Sequence, residues 1–318
     1  MTSPTVPPVS RTRIVVSVLA VVGTLPYLGL KLLWLTGSRV GLKDPDFGRS
    51  ATMHAVNAAT FVMDAVAIVL AVALVTGLRH RLPTPVLLAP LWVATGLLAP
   101  ILVIVPLQVV VGVPESSGAA AGAIADWVYA LVYAGFLWQG TFLLLGLVLF
   151  CRERWRSVAG RPAPAAPATS WSWLAGALLL VAAIALVLDA LDRPAVAWPN
   201  LAGDLGALAV AGLGLALLHR GGSRRAVVAT TLWVGSGATL TWGLYQLLLV
   251  VVPNDLVAAS DVSALDVAAP ATRLAAGLAV LLALVQARAA ARRLATSPTR
   301  KIPSPATASA APTRLGAR

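Results

Sequence analysis

Charge and cysteine are what this chain lacks. Of its 318 residues, 11% are charged, against roughly 25% in a soluble globular chain. There is one cysteine, Cys151, which excludes an intramolecular disulfide and any cysteine-cluster metal site. It follows the apolar run ending at Phe150 and reads as a small residue at a helix end. Three histidines are too few and too scattered for a metal site, so neither metal nor cofactor is expected. Catalytic signatures are missing as well. The chain has no H-E-x-x-H, no G-x-S-x-G, no G-x-x-x-x-G-K-[ST] and no dinucleotide fingerprint in a strand context. No catalytic residue is assigned, and an enzyme is not expected. His54 and Asp64 are ten residues apart on one helix, about 15 Å, too far to act together as acid and base.

What fills the chain instead is apolar: 58% of residues are hydrophobic. Eight runs are long enough to approach or exceed the 20 or so residues needed to cross a bilayer. They cover 14–35, 56–78, 86–111, 127–150, 171–191, 201–218, 227–252 and 271–286, the last being the shortest. The first run is too long for the apolar core of a signal peptide and reads as an uncleaved first helix. The fold class expected is therefore all-α, a polytopic transmembrane bundle of eight helices. Trp34, Trp127, Trp171 and Trp198 fall near span ends, where an interfacial aromatic belt is expected.

The net charge of +12 invites a nucleic-acid partner, but its distribution argues for a membrane. In an eight-span layout, 18 of the 24 basic residues fall on one side, in the N-terminal flank, the turns after spans two, four and six, and the tail. Of the acids, only Glu153 falls there. This asymmetry places both termini in the cytoplasm. Residues 1–10 and the basic tail 294–318 are rich in Pro, Ser, Thr and Ala and are expected to be disordered.

A Pro/Ala linker at 160–170 lies midway, between a first four-helix half (11–159) and a second (171–293). The two halves echo each other. Asp64, an apolar run, Arg79-His80-Arg81, then Leu91-Trp92-Val93 and Gly96 are matched by Asp204, an apolar run, His219-Arg220, then Leu232-Trp233-Val234 and Gly237. Four helices per unit make such repeats parallel, related by an axis along the membrane normal.

Ionisable residues inside spans are expensive and usually face a partner or a watery cavity. Counting 1.5 Å per residue from the basic helix ends puts Asp64 and Arg273 at about 22 Å, Asp204 at about 24 Å, and Lys31 and Asp189 at about 27 Å. All five fall in the outer third of a core about 30 Å thick. They define the candidate ligand site: an outward-facing polar pocket between the halves, lined by Lys31, Asp64, Asp189, Asp204 and Arg273. Lys31–Asp64 is the most specific pair expected, because a lysine stem spans their difference in height. A secondary polar face comes from His54, Asn57, Gln139, Trp242 and Gln246. His54, Asn57, Phe61 and Asp64 share one side of a helix by their spacing. Pro100 and Pro106 free backbone carbonyls in the third span, which a membrane tolerates only where something satisfies them.

The segment Pro26-Tyr27-x3-Lys31-x2-Trp34, continuing to Gly41-Leu42, resembles a pattern in multi-pass membrane proteins of high-GC actinobacteria. That family carries no assigned activity. The resemblance implies a membrane protein in which the Pro-Tyr…Lys…Trp stretch matters more than a generic first helix would.

Two functions compete. One is binding or transport of a small solute or ion at the outward-facing polar cluster. The alternative is a non-catalytic membrane partner or sensor subunit. Both have the lipid bilayer as partner. The orientation is directly testable: a green fluorescent reporter fused after Arg318 is expected to fluoresce, and an alkaline phosphatase fusion there to be inactive. The opposite pattern would invert the layout.

Overall fold

Apolar side chains must leave water, and in this chain there are too many of them for one buried core. The computed structural model describes residues 9–76, 78–112, 122–193, 197–255 and 262–296. Its order is α1 (Arg11–Leu35), α2 (Ala51–Val75), a one-turn α3 (Leu78–Arg81), α4 (Thr84–Val111), α5 (Asp126–Arg154), a one-turn α6 (Arg156–Ala159), α7 (Ser170–Asp192), α8 (Trp198–Arg220), α9 (Arg225–Val251) and α10 (Ala264–Thr296). Eight of these helices are long and apolar enough to cross a membrane. Their outer faces carry rows of exposed valines and leucines, such as Val15, Val18, Val22 and Leu25 on α1. A soluble monomer rarely exposes such a continuous apolar surface. The protein is an all-α, multi-pass membrane protein.

Local sequence sets the helix ends. Ser10 and Ser50 accept from the backbone N–H groups of Arg13 and Met53, capping α1 and α2. Thr169 and Ser172 form a capping box at the start of α7. Prolines open α4 and α8 in their first turns, where a missing N–H is harmless. Two boundaries differ appreciably from hydropathy. α2 begins at Ala51, because a capped helix carries His54 and Asn57 along although neither is apolar. α10 runs for 33 residues, far beyond the short span 271–286. Alanine and arginine are strong helix formers, so the helix continues after the apolar stretch ends. Residues 1–8 and 297–318, most of the two segments expected to be disordered, lie outside the described residues.

The helices pack as two groups. α1, α2, α4 and α5 bury Ala71, Leu74, Leu91, Leu143 and Leu147 among themselves. α7, α8, α9 and α10 bury Ala175, Ala182, Leu208, Ala211 and Val280. The groups meet chiefly where α4 crosses α9, with α8 also against α4. At the crossing, Gly96 and Gly237 bring the two backbones together. A Cβ on Gly96 would sit 2.5 Å from the carbonyl carbon and oxygen of Gly237. Small residues permit this approach, and the reward in a membrane is close van der Waals packing. Two tryptophans flank the crossing reciprocally. Trp92 Nε1 donates to Ser236 Oγ at 3.2 Å, and Trp233 Nε1 donates to Thr95 Oγ1 at 3.1 Å.

The Pro/Ala linker is not a free spacer. Ala163 N–H donates to Ser223 O (2.7 Å), Gly222 N–H to Ala163 O (2.9 Å) and Arg225 N–H to Arg161 O (2.8 Å). The His219 ring lies 3.0 Å from Ala166 O. The linker is thus tied to the α8–α9 turn, and His219 helps hold it there.

The glycine crossing gives a clear expectation. Gly96→Val should force α4 from α9 and destabilise the protein by about 1–3 kcal/mol, as overpacking does. Gly206→Val, where a Cβ meets nothing within 4 Å, should leave the thermal midpoint in detergent close to wild type. Equal midpoints for the two variants would mean the crossing is not tight.

Candidate functional site

Beyond the glycine crossing, on the side away from the basic turns, the two helix groups part. A cavity of about 830 Å³ lies between them. Its walls come from α1, α2, α4 and α5 of the first group and from α8 and α9 of the second. The segment between α1 and α2 forms its rim, through Arg39, Phe47 and Arg49. That rim is held in place by the stretch before α5: Lys43 N–H donates to Ala123 O, and Ala125 N–H donates to Gly41 O, both at 2.8 Å.

Three of the five expected site residues line this cavity: Lys31, Asp64 and Asp204. Arg273 stands behind the wall, fully buried, and ion-pairs with Asp204. The same guanidinium nitrogen, Nη1, reaches Gln246 Oε1 at 3.2 Å, and Gln246 is a cavity residue. Asp189 lies elsewhere. It pairs with Arg193 at 2.9 Å, and Arg193 also bonds Asp266 at 3.0 Å, joining the end of α7 to the start of α10. The whole secondary face (His54, Asn57, Gln139, Trp242 and Gln246) lines the cavity. Phe61, expected on the same stripe, does not; Thr60 and Met63 occupy the wall at that level.

The expected Lys31–Asp64 ion pair is not formed. The Lys31 ammonium donates to Asn57 Oδ1 at 2.8 Å and lies over the rings of Tyr27 (4.9 Å) and Trp34 (5.3 Å). An amide and two ring faces satisfy it one side chain short of the acid. The Gln139 side chain stands beside Asp64, and both line the cavity. The Asp64 Oδ2 is buried and has no hydrogen-bond partner among the described residues. Trp34 also departs from expectation. It is turned into the cavity, with Nε1 donating to Val40 O at 2.8 Å, rather than standing in an interfacial belt. Trp127 and Trp198 are largely exposed, as belt residues would be.

None of the three prolines inside α4 lines the cavity. Trp242 Nε1 donates to Leu97 O at 3.2 Å, next to the Gly96 carbonyl that Pro100 leaves without its helical donor. Gln108 Nε2 donates to Asn200 Oδ1 at 2.7 Å, a polar link between the two groups near the rim. Gln108 and Asn200 were not expected here, because each sits alone in an apolar or loop-flanking stretch. The tyrosines carried a further signal in their scarcity, beyond the place of Tyr27 in the first-helix motif. The chain has four, Tyr27, Tyr129, Tyr133 and Tyr245, and all four line this cavity. A residue so scarce, converging from α1, α5 and α9 on one space, marks a wall with apolar bodies and polar tips.

No group of histidine, cysteine or acidic residues among the described residues could hold a metal ion. No protein-family model, curated protein or solved structure matches the chain. What the site can do must therefore be read from its own chemistry. It can solvate a polar or charged molecule in an otherwise apolar bundle, with one acid compensated by Arg273 and a second acid open.

The buried pair generates a stability test. Arg273→Ala leaves the Asp204 carboxylate unpaired, and removing one partner of a buried pair costs about 3–5 kcal/mol. The double variant Arg273→Met/Asp204→Leu should recover most of that loss in thermal denaturation. A single variant as stable as wild type would mean that Asp204 is already well solvated from the cavity.

Proposed function

We propose that the protein binds a small polar solute in the cavity between its two halves and carries it across the bacterial cytoplasmic membrane. One observation carries this reading. A space of about 830 Å³ holds Lys31, Asp64, Asp204 and all four tyrosines of the chain. Ligand pockets commonly occupy about 300–1,000 Å³ and combine an apolar lining with a few placed polar groups. Ionisable side chains inside a membrane are by default a functional hypothesis. The Pro-Tyr-x3-Lys-x2-Trp stretch supports the same reading, because Tyr27, Lys31 and Trp34 all contribute to the wall. With the basic turns in the cytoplasm, the cavity faces outward.

The carrier part of the proposal rests on an internal repeat. Trp92 and Trp233, Thr95 and Ser236, and Gly96 and Gly237 share one sequence offset between the halves. Their hydrogen bonds are exchanged across the crossing, each tryptophan reaching the hydroxyl that is its partner's neighbour. The acids of α2 and α8 follow the same logic. Asp64 is met by Gln139 from α5, and Asp204 by Arg273 from α10. Two parallel four-helix units related by an axis through Gly96 and Gly237 account for both. Parallel repeats that rock about such an axis are one recurrent route to alternating access.

Accessibility distinguishes a solute cavity from a sealed structural void. In a Cys151→Ser background, Ala67→Cys and Ala94→Cys place thiols deep in the wall. A small membrane-impermeant thiosulfonate added from outside intact cells is expected to modify both. Leu98→Trp, which fills the cavity, should slow that modification at least tenfold. No labelling at either thiol, in protein shown to be folded, would overturn the reading. A sensor subunit would show the same labelling without uptake by proteoliposomes.

A further inference from the structure

The charges of the cavity are arranged as a dipole, and this arrangement deepens the solute-binding reading on which it rests. Among the described residues, five charged side chains border the space: Lys31, Arg39, Arg49, Asp64 and Asp204. Three already have charged or backbone partners. Asp204 is paired with Arg273, Arg49 with Asp46, and Arg39 donates to the carbonyl oxygens of Asp44 and Phe47. The remaining two, Lys31 and Asp64, have opposite sign; Lys31 is held by the neutral amide of Asn57, and Asp64 has only the neutral Gln139 beside it. Both are buried, with 5% and 6% exposure. Asp64 Oδ2 is buried with no hydrogen-bond partner among the described residues, on a side chain that lines the cavity.

Their separation is fixed by α2. The Lys31 ammonium lies at the level of Asn57, seven residues before Asp64, so the two charges are about 10 Å apart along the helix. Charge-assisted contacts of about 2.8 Å at each end would leave about 5 Å between the charges of a bridging ligand. Two residues of extended chain span at most about 7 Å. The rim carries Arg39 and Arg49 beside Lys31, so an anionic group is favoured at the mouth and a cationic one at the floor. Between the two levels stand tyrosine rings and Phe136, which suit an apolar body.

We propose that the cavity selects a zwitterion of dipeptide size, with its carboxylate at Lys31, its ammonium at Asp64 and apolar side chains against the aromatic wall.

The test uses three probes on the purified full-length protein: the dipeptide Ala-Phe, its C-terminal amide (cation only) and N-acetyl-Ala-Phe (anion only). Calorimetric titration is expected to show the zwitterion binding at least tenfold more tightly than either blocked form. Asp64→Asn should weaken Ala-Phe and its amide at least tenfold and leave the acetylated form unchanged. Lys31→Gln should weaken Ala-Phe and the acetylated form and spare the amide. Apo thermal midpoints confirm that each variant is folded, and the crossed pattern cannot arise from general unfolding. A blocked form binding as well as Ala-Phe, or an equal effect of both variants on all three probes, overturns the assignment. If no probe binds while the thiosulfonate still reaches Ala67→Cys, the zwitterion assignment falls and the open cavity stands. If neither occurs, both fall.

Discussion

The backbones of α4 and α9 touch at Gly96 and Gly237, and the rest of the architecture depends on that contact. Each helix belongs to a different group of four, so the crossing is where the halves are joined inside the membrane. Helices that meet closely at one level diverge beyond it. On the side of the basic turns the gap is filled by Trp92 and Trp233, each anchored on a hydroxyl of the other helix. On the other side the divergence is left open, and Leu98, Trp242 and Tyr245 look into it. A larger residue at the crossing would separate the halves and remove the difference between the closed and open ends.

Charge then defines what the open end can hold. In hydrocarbon an acid needs a counter-charge, a hydrogen-bond donor or water. The two acids solve this differently. Asp204 has a fully buried arginine behind it, so it is already neutralised from the protein side. Asp64 has Gln139 beside it and one buried oxygen with no hydrogen-bond partner among the described residues. Asp204 on α8 is thus charge-paired and Asp64 on α2 is not, among the described residues. This asymmetry, more than the number of intramembrane charges, gives the cavity a direction.

The fold was readily legible and the site only partly so. Hydropathy finds the eight spans because lipid demands long apolar helices, and the basic turns give their order. It misplaces the start of α2 and the end of α10, since capping and helix propensity extend helices past their apolar stretches. Counting depth brings out Lys31, Asp64 and Asp204, which share one cavity. It also brings out Asp189, which shares their height but faces Arg193 on the far side of α7. Height is one coordinate, and rotation about the helix axis is the other. A single sequence supplies rotation only where several polar residues repeat with helical spacing, as on α2. Gln108 and Asn200 stand alone in their helices and could not be oriented this way.

The linker has a consequence for where the chain divides. By composition, the boundary between the halves is the Pro/Ala run. By hydrogen bonding, that run belongs to the second half: it is stitched to residues 218–225, and Ala163 is buried in the core of α7–α10. The covalent junction that spans the two halves therefore shrinks to the few residues around α6, between Trp155 and Gly160. On the basic face the halves are connected by a short strap instead of a long tether. The mouth of the cavity lies at the opposite face, a full helix length from this one covalent link between the halves.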